Sequence, residues 1–419
     1  CELLIINHDS LPLDGLSVLT AKGGGADTPL PAIDPLDNAT ILYTSGSTGQ
    51  SKGAVSDHRA VVQGAMSYVG QTLVFFELLS STGQAMPAQP SALVNVPLFH
   101  VTASIPLVLQ SFAIGRKLVL MPKWDAEEAM RIIEKERISY FVGVPLMSIE
   151  LATHPARHKY DLTSCTAFAA GGAPRPVEHV KKIRKEMSWG YPLLGYGLTE
   201  TSPVISTNTF EHYRLGSVGR PIPGVEVMIA ADGEILSRGP HIMRGYYNNA
   251  EATKDAIDEE GWFHTGDIGE LIDGFLRITD RKKDIIVTAG GKNIAPQPIE
   301  NMLRTNKYVS QAVMLGDKRS FPVVLIVPNW DQLEKWAASE NIAWTSRTEL
   351  LAMPTINAKM GQEVKTQLAG LASYETPKKV ALLEHDFSVE RGELTPTLKV
   401  KRRVIDKTYQ PLIDGLYTE

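Results

Sequence analysis

The sequence predicts an α/β chain: a large N-terminal domain over residues 1–280 and a smaller, mobile α+β domain over 281–419. Three observations lead there. Short apolar runs alternate with helical periodicities through the first two thirds, the pattern of α/β architecture. Residues 216–279 change to short β-like runs broken by turns at Pro223-Gly224, Asp232-Gly233, Gly239-Pro240 and Asp273-Gly274, a β-rich subdomain. The charged run Asp280-Arg281-Lys282-Lys283-Asp284 then precedes a fresh alternation of helix and strand. A length of 419 residues exceeds one ordinary core.

Individual elements follow from local chemistry. Ser56 is the expected N-cap of a helix carrying Val62, Met66 and Val69 on one face. Asp125 with Glu128 forms a capping box ahead of Ala129, Ile132 and Ile133, and 138–144 then reads as a buried strand. A second strand, 166–170, runs into Gly171-Gly172-Ala173, a strand-to-helix turn, with Pro176 at N1 ahead of Val177, Val180 and Ile183. Past the charged run, a helix over 298–304 and strands over 312–315 and 323–327 are expected.

Composition narrows the function. The net charge of -5 provides no overall basic surface, so nucleic acid is not an expected partner. Two cysteines, Cys1 and Cys165, build neither a disulfide framework nor a Cys-rich metal site, which fits a reducing compartment. The longest apolar stretch, 101–115, is interrupted by Thr102, Ser104, Gln110 and Ser111 and is shorter than the ~20 residues of a spanning helix. The first residues lack a signal-peptide pattern and an initiator Met, so the sequence reads as starting mid-protein.

The chemistry concentrates in ordered motifs. Thr44-Ser45-Gly46-Ser47-Thr48-Gly49-Gln50-Ser51-Lys52-Gly53 follows the apolar strand Thr40-Ile41-Leu42-Tyr43. Its hydroxyls and glycines let backbone fold around an anion while Lys52 supplies positive charge, so the segment is a candidate polyphosphate grip. It is not a P-loop, which needs Gly at Ser51 and a hydroxyl at Gly53. Taken alone, such a loop is also a plain linker. Later come Gly171-Gly172-Ala173, Tyr196-Gly197-Leu198-Thr199-Glu200-Thr201, Gly261-Trp262-Phe263-His264-Thr265-Gly266-Asp267, 280–300 and 394–403.

In that order, over about 37–405, the segments resemble the adenylate-forming superfamily of acyl-CoA synthetases, luciferases and peptide-synthetase adenylation domains. The endings at 280–293 and 394–403 look most like long-chain fatty acyl-CoA synthetases. The resemblance implies a large adenylation domain, here incomplete at its N-terminal side because only 43 residues precede Thr44. It implies ATP and Mg²⁺ as cofactors, coenzyme A as cosubstrate, and a two-step ligation through an acyl-adenylate. Tyr196 would lie against adenine beside the Gly171-Gly172-Ala173 turn and Gly197. Thr199, with Thr44 and Lys52, would meet phosphate, and Glu200 would hold Mg²⁺. Asp267 would accept the ribose hydroxyls and Arg281 would reach the ribose or phosphate side.

Lys283 matches the family's hinge, Gly290-Gly291 its pantetheine tunnel, and Lys399 its adenylation lysine, in preference to Lys401. His100 sits where relatives carry a residue near the acyl site, and 101–114 and 140–147 either wall an acyl tunnel or are ordinary core. Ser51 replaces a Pro common in relatives. The expected substrate is a medium- or long-chain fatty acid; an aryl or amino acid ligase and an inactive, truncated nucleotide-binding remnant are the alternatives. The expected location is cytoplasmic, with peripheral contact at the inner membrane face left open.

Overall fold

The computed structural model describes residues 3–5, 32–44, 51–83, 89–172, 175, 177–395 and 400–418. The chain is mixed α/β and divides by contacts into two units: 1–228 with 236–265 and 272–276, and 229–235 with 266–271 and 277–419.

The first unit opens with strands β1 (Leu3–Ile5), β2 (Asn38–Thr44) and β3 (Lys52–Asp57), then helix α1 (His58–Ser81) and strand β4 (Ser91–Val94). Next come β5 (Lys117–Leu120), α2 (Ala126–Glu136), β6 (Tyr140–Gly143), β7 (Ala167–Ala170) and α3 (Val177–Glu186). Strands pair in the order β1-β5-β4-β6-β7, all parallel, and such a sheet buries its strands as continuous apolar runs. Leu93, Val119, Phe141 and Phe168 are fully buried in one cluster with Ile132, Ile133 and Ile183. Each such side chain contributes about 1.5–3 kcal/mol relative to exposure.

Helix α2 starts as its sequence dictates: the Asp125 carboxylate accepts from Glu128 N at 2.8 Å, and Ala129, Ile132 and Ile133 face the core. Pro176, the expected start of α3, lies outside the described residues. Helix α1 differs from expectation in two ways. Its cap is Asp57, the last residue of β3, accepting from Ala60 N at 2.8 Å, while the Ser56 Oγ meets Ser202 Oγ at 2.8 Å. Val62 and Met66 are exposed, and the buried side carries Val61, Gly64, Phe75 and Leu79 with Val69. Gly64 sets this rotation, because a Cβ there would come within 1.8 Å of the Ser202 carbonyl oxygen.

Strands β8 (Gly195–Tyr196), β9 (Ser206–Thr207) and β10 (Arg220–Pro221) form an antiparallel sheet. They are followed by β11 (Glu226–Ile229), β12 (Glu234–Arg238), β13 (Gly245–Tyr246), β14 (Phe263–Ile272) and β15 (Phe275–Arg281). β13 adds to the β2–β3 hairpin, and β11-β12-β14-β15 form a four-stranded sheet, so the turn-rich segment is β-rich as its sequence indicates.

The second unit continues with the hairpin β16 (Ile286–Val287) and β17 (Asn293–Ile294), helix α4 (Pro296–Leu303), and the sheet β18 (Val309–Leu315), β19 (Val323–Pro328), β20 (Lys379–Leu382). Residues of β19 alternate between two cores: Val324 and Ile326 join Ile299 and Leu303, while Val323, Leu325 and Val327 join Ile405 and Ile413.

Candidate active site

In the first unit the pairing of β2 with β3 brings together the residues that flank 45–50. Thr44 and Lys52 are register partners, and Thr44 Oγ1 donates to the Lys52 carbonyl at 3.3 Å. Ser45, Gly46, Ser47, Thr48 and Gly49 lie outside the described residues. Gly53 has a packing reason of its own: a Cβ there would meet Ile41 at 2.9 Å.

Strand β7 delivers Gly171 and Gly172 at the C-terminal edge of the parallel sheet, where open α/β sheets bind ligands. Gly172 is left-handed at φ 74°, and a Cβ there would meet no described residue within 4 Å. Ala173 lies outside the described residues. The bridge between Ala170 and Leu194 brings β8 alongside, with Tyr196 8% exposed. Gly197 is required sterically, because a Cβ would fall 1.5 Å from the Pro203 carbonyl oxygen.

Thr199 and Glu200 stand in the single turn Thr199–Thr201, pinned where Met243 N donates to the Glu200 carbonyl at 2.8 Å. Glu200 is 8% exposed, and its Oε1 accepts from Tyr246 OH at 2.9 Å. Burial, reinforced by the Glu200 charge, pushes the Tyr246 phenol far above its ordinary value, so it stays a neutral donor. Lys52 Nζ sits 4.8 Å from the Tyr246 ring centroid, so one tyrosine joins two predicted site residues 148 apart, Lys52 by its ring and Glu200 by its hydroxyl. Nothing in the local sequence marks Tyr246 except its place in Arg244-Gly245-Tyr246-Tyr247.

A carboxylate whose Oε2 has no hydrogen bond among the described residues suits Mg²⁺, which keeps several waters and binds through one or two carboxylates plus substrate phosphates. Among the described residues no group of three or more His, Cys, Asp or Glu could form an all-protein metal cage.

In the second unit Asp267 is 5% exposed on β14, and Oδ1 accepts from Arg281 Nε at 3.1 Å. The preceding Gly266, at φ 71°, donates its N–H to Glu234 Oε1 at 2.8 Å, and Lys282 N donates to the Gly266 carbonyl at 2.9 Å. Lys282 Nζ completes the brace on Glu234 at 2.9 Å and Asp232 at 2.6 Å, and those bonds hold the ammonium above its ordinary range. The sequence reading did not single out Glu234 or assign a role to Lys282; only the density of charge at 280–284 marks the region.

Lys283 lies exposed in the turn after β15, and Gly290-Gly291 make the turn of the β16–β17 hairpin, Gly291 at φ 71°. His100 caps the short helix Val101–Ala103, its Nδ1 accepting from Thr102 N at 3.2 Å. Ala103, Ile105, Leu107 and Phe141 are buried, so the stretches at 101–114 and 140–147 contribute core. Lys399 lies outside the described residues; nearby, Leu394 bridges Val400 and Arg402 pairs with the buried Glu300 at 2.5 Å.

Residues 4–247 match the AMP-binding enzyme family and 283–369 its C-terminal domain. The chain belongs to the AMP-binding enzyme family. It is 32% identical to the long-chain-fatty-acid–CoA ligase FadD15 of Mycobacterium bovis, over 97% of this chain and 74% of that protein. It is 38% identical to the peroxisomal long chain acyl-CoA synthetase 6 of Arabidopsis thaliana, over 92% of this chain and 61% of that one. Its fold is similar to O-succinylbenzoate coenzyme A synthetase from Bacillus subtilis, solved with ATP and magnesium ion: TM-score 0.68, 23% identity, 96% of this chain and 78% of that one.

Proposed function

We propose that the chain is a fatty-acid:CoA ligase that forms acyl-AMP and pyrophosphate from MgATP and a medium- or long-chain acid, then passes the acyl group to the thiol of coenzyme A. The observation that carries this reading is the similarity to long-chain ligases over nearly the whole chain. The enzyme is an ATP-dependent, AMP-forming acid–thiol ligase whose substrates are the acid, ATP and coenzyme A.

Glu200, oriented by Tyr246, holds Mg²⁺ against the phosphates, and Thr199, Thr44, Lys52 and the 45–49 loop bind phosphate oxygens. Tyr196 and the Gly171-Gly172-Ala173 turn take the adenine, and Asp267 with Arg281 takes the ribose. Lys399 neutralises charge that builds on the α-phosphate, Lys283 is the hinge of the 281–419 domain, Gly290-Gly291 admit pantetheine and His100 borders the acyl group. When bound, Mg²⁺ supplies charge neutralisation at the phosphates.

Among the described residues no helix is long and apolar enough to cross a membrane. Peripheral contact with a membrane face belongs to the same proposal: the acid partitions into lipid, and Leu98, Phe99 and Phe112 are exposed. The test is acid-dependent pyrophosphate release from ATP with a homologous series of acids. Each methylene buried should favour binding by up to ~0.8 kcal/mol until the site is full. Acetate, benzoate or an amino acid outcompeting every fatty acid would overturn the substrate class.

A further inference from the structure

Arg116, just before β5, is 2% exposed, and among the described residues no carboxylate pairs with it. Its guanidinium donates from Nη1 to Gln110 Oε1 at 3.0 Å and lies 4.6 Å from the Tyr140 ring centroid, while Nε has no partner among the described residues. Gln110 is itself committed, its amide donating to the Tyr68 carbonyl at 2.7 Å and Thr72 Oγ1 at 2.6 Å. Among the described residues this buried guanidinium faces an amide oxygen and a ring and no counter-charge, and leaving it so is costly. Burial pushes the phenols of Tyr68 and Tyr140 up, so neither supplies an anion and both remain hydroxyl donors.

A cavity of about 40 Å³ opens beside these groups, lined by Arg116, Tyr68, Thr72 and Tyr140 and by the apolar Phe75 and Leu79. At roughly 10–15 Å³ per water, it holds about three waters or one acetate-sized molecule. Ser139 and Thr166 also line it, so it sits at the N-terminal ends of β6 and β7, opposite the edge where Gly171 and Gly172 turn. It is a separate site from the nucleotide turn.

We propose that this cavity binds a small alkyl monocarboxylate, with its oxygens on the Arg116 guanidinium and the tyrosine hydroxyls and its alkyl end against Phe75 and Leu79. A guanidinium together with apolar side chains in one lining favours acetate or propionate over a bare inorganic anion. The inference does not rest on the ligase reading and survives if that reading fails.

The experiment is a titration of the full chain with ¹³C-labelled acetate, without ATP, read by saturation-transfer NMR at constant ionic strength. Saturable binding is expected, and Arg116→Met should weaken it at least about tenfold, the scale of one lost charge-assisted contact. Tyr140→Phe keeps the shape and removes one donor, so it should weaken binding too and serves if Arg116→Met does not fold. No binding to the unaltered chain, or equal binding to it and a folded variant, overturns the proposal. Chloride displacing acetate at equal concentration also overturns it, because that marks an unselective anion hole.

Discussion

Asp267→Asn tests the nucleotide reading with the least change of shape. Asp267 is 5% exposed and accepts from Arg281 Nε at 3.1 Å, so an asparagine of equal volume fits and its remaining oxygen can keep that contact. What it cannot do is accept from both ribose hydroxyls, because one acceptor has become an NH₂ donor. A hydrogen bond to a charged group contributes about 1.5–3 kcal/mol, so ATP affinity should fall roughly 10- to 150-fold. The fold should lose far less. The Arg281 side chain is 38% exposed and water solvates it when its partner's charge is gone, so the ion pair contributes about 0–1 kcal/mol. Calorimetric titration with ATP, paired with thermal melts of both proteins, separates the two effects. ATP affinity unchanged in a folded Asp267→Asn chain refutes the ribose assignment.

Two further outcomes concern catalysis. Lys399→Ala should slow acyl-adenylate formation by about 10²-fold or more, the scale of one transition-state electrostatic contact, while synthetic acyl-AMP rescues thioester formation. Lys283→Pro should show the reverse pattern in the same single-turnover assays, and equal loss of both half-reactions in Lys399→Ala defeats the assignment. Tyr246→Phe removes the 2.9 Å bond that orients Glu200. The Mg²⁺ concentration for half-maximal adenylation should then rise by about tenfold or more at unchanged acid KM, and an unchanged Mg²⁺ dependence counts against Glu200 as the ligand.

What the sequence made legible was local. The Asp125–Glu128 cap lies within one turn, and the Gly171-Gly172 turn follows its strand directly, so chemistry a few residues wide decides both. Helix α1 was harder because its apolar residues run nearly all round: Val61, Val62, Met66, Val69, Leu73 and Val74 allow several faces, and only the approach of Ser202 to Gly64 selects one. Likewise Ser56 and Asp57 are both good caps and both lie in β3, but only Asp57 directly precedes the helix, while the Ser56 hydroxyl is taken by Ser202. Glu200, Asp267 and Arg281 were visible in motifs, but Tyr246 and Glu234 were not. Tyr246 lies 46 residues from Glu200, and Lys282 lies 48 from Glu234, distances at which no periodicity carries information.

Two buried titratable groups extend this to stability, with opposite signs. His241 is fully buried, its Nε2 on Ser237 Oγ at 2.9 Å and its Nδ1 without a partner among the described residues, and burial lowers its pKa from 6.5 to about 4. As pH falls below 6.5 the unfolded chain takes the proton first, so stability present above 6.5 is lost down to about pH 4. The loss is at most about 3 kcal/mol.

Asp280 is 1% exposed, and burial raises its pKa from 3.8 to about 6 against the bonds from Arg281 N and Gln297 N. Here the native state holds the proton longer, so stability present below 3.8 is lost as pH rises to about 6, by a similar amount. His241 belongs to the first unit and Asp280 to the second. Hydrogen exchange in urea at pH 4.5, 5.5 and 7, read peptide by peptide, should therefore show these two terms pulling the units in opposite directions. His241→Gln should flatten the acid loss in the first unit alone, and Asp280→Asn should flatten the neutral loss in the second alone. Variants that leave both pH slopes unchanged would mean that these side chains are hydrated in the folded protein and that burial does not set their protonation.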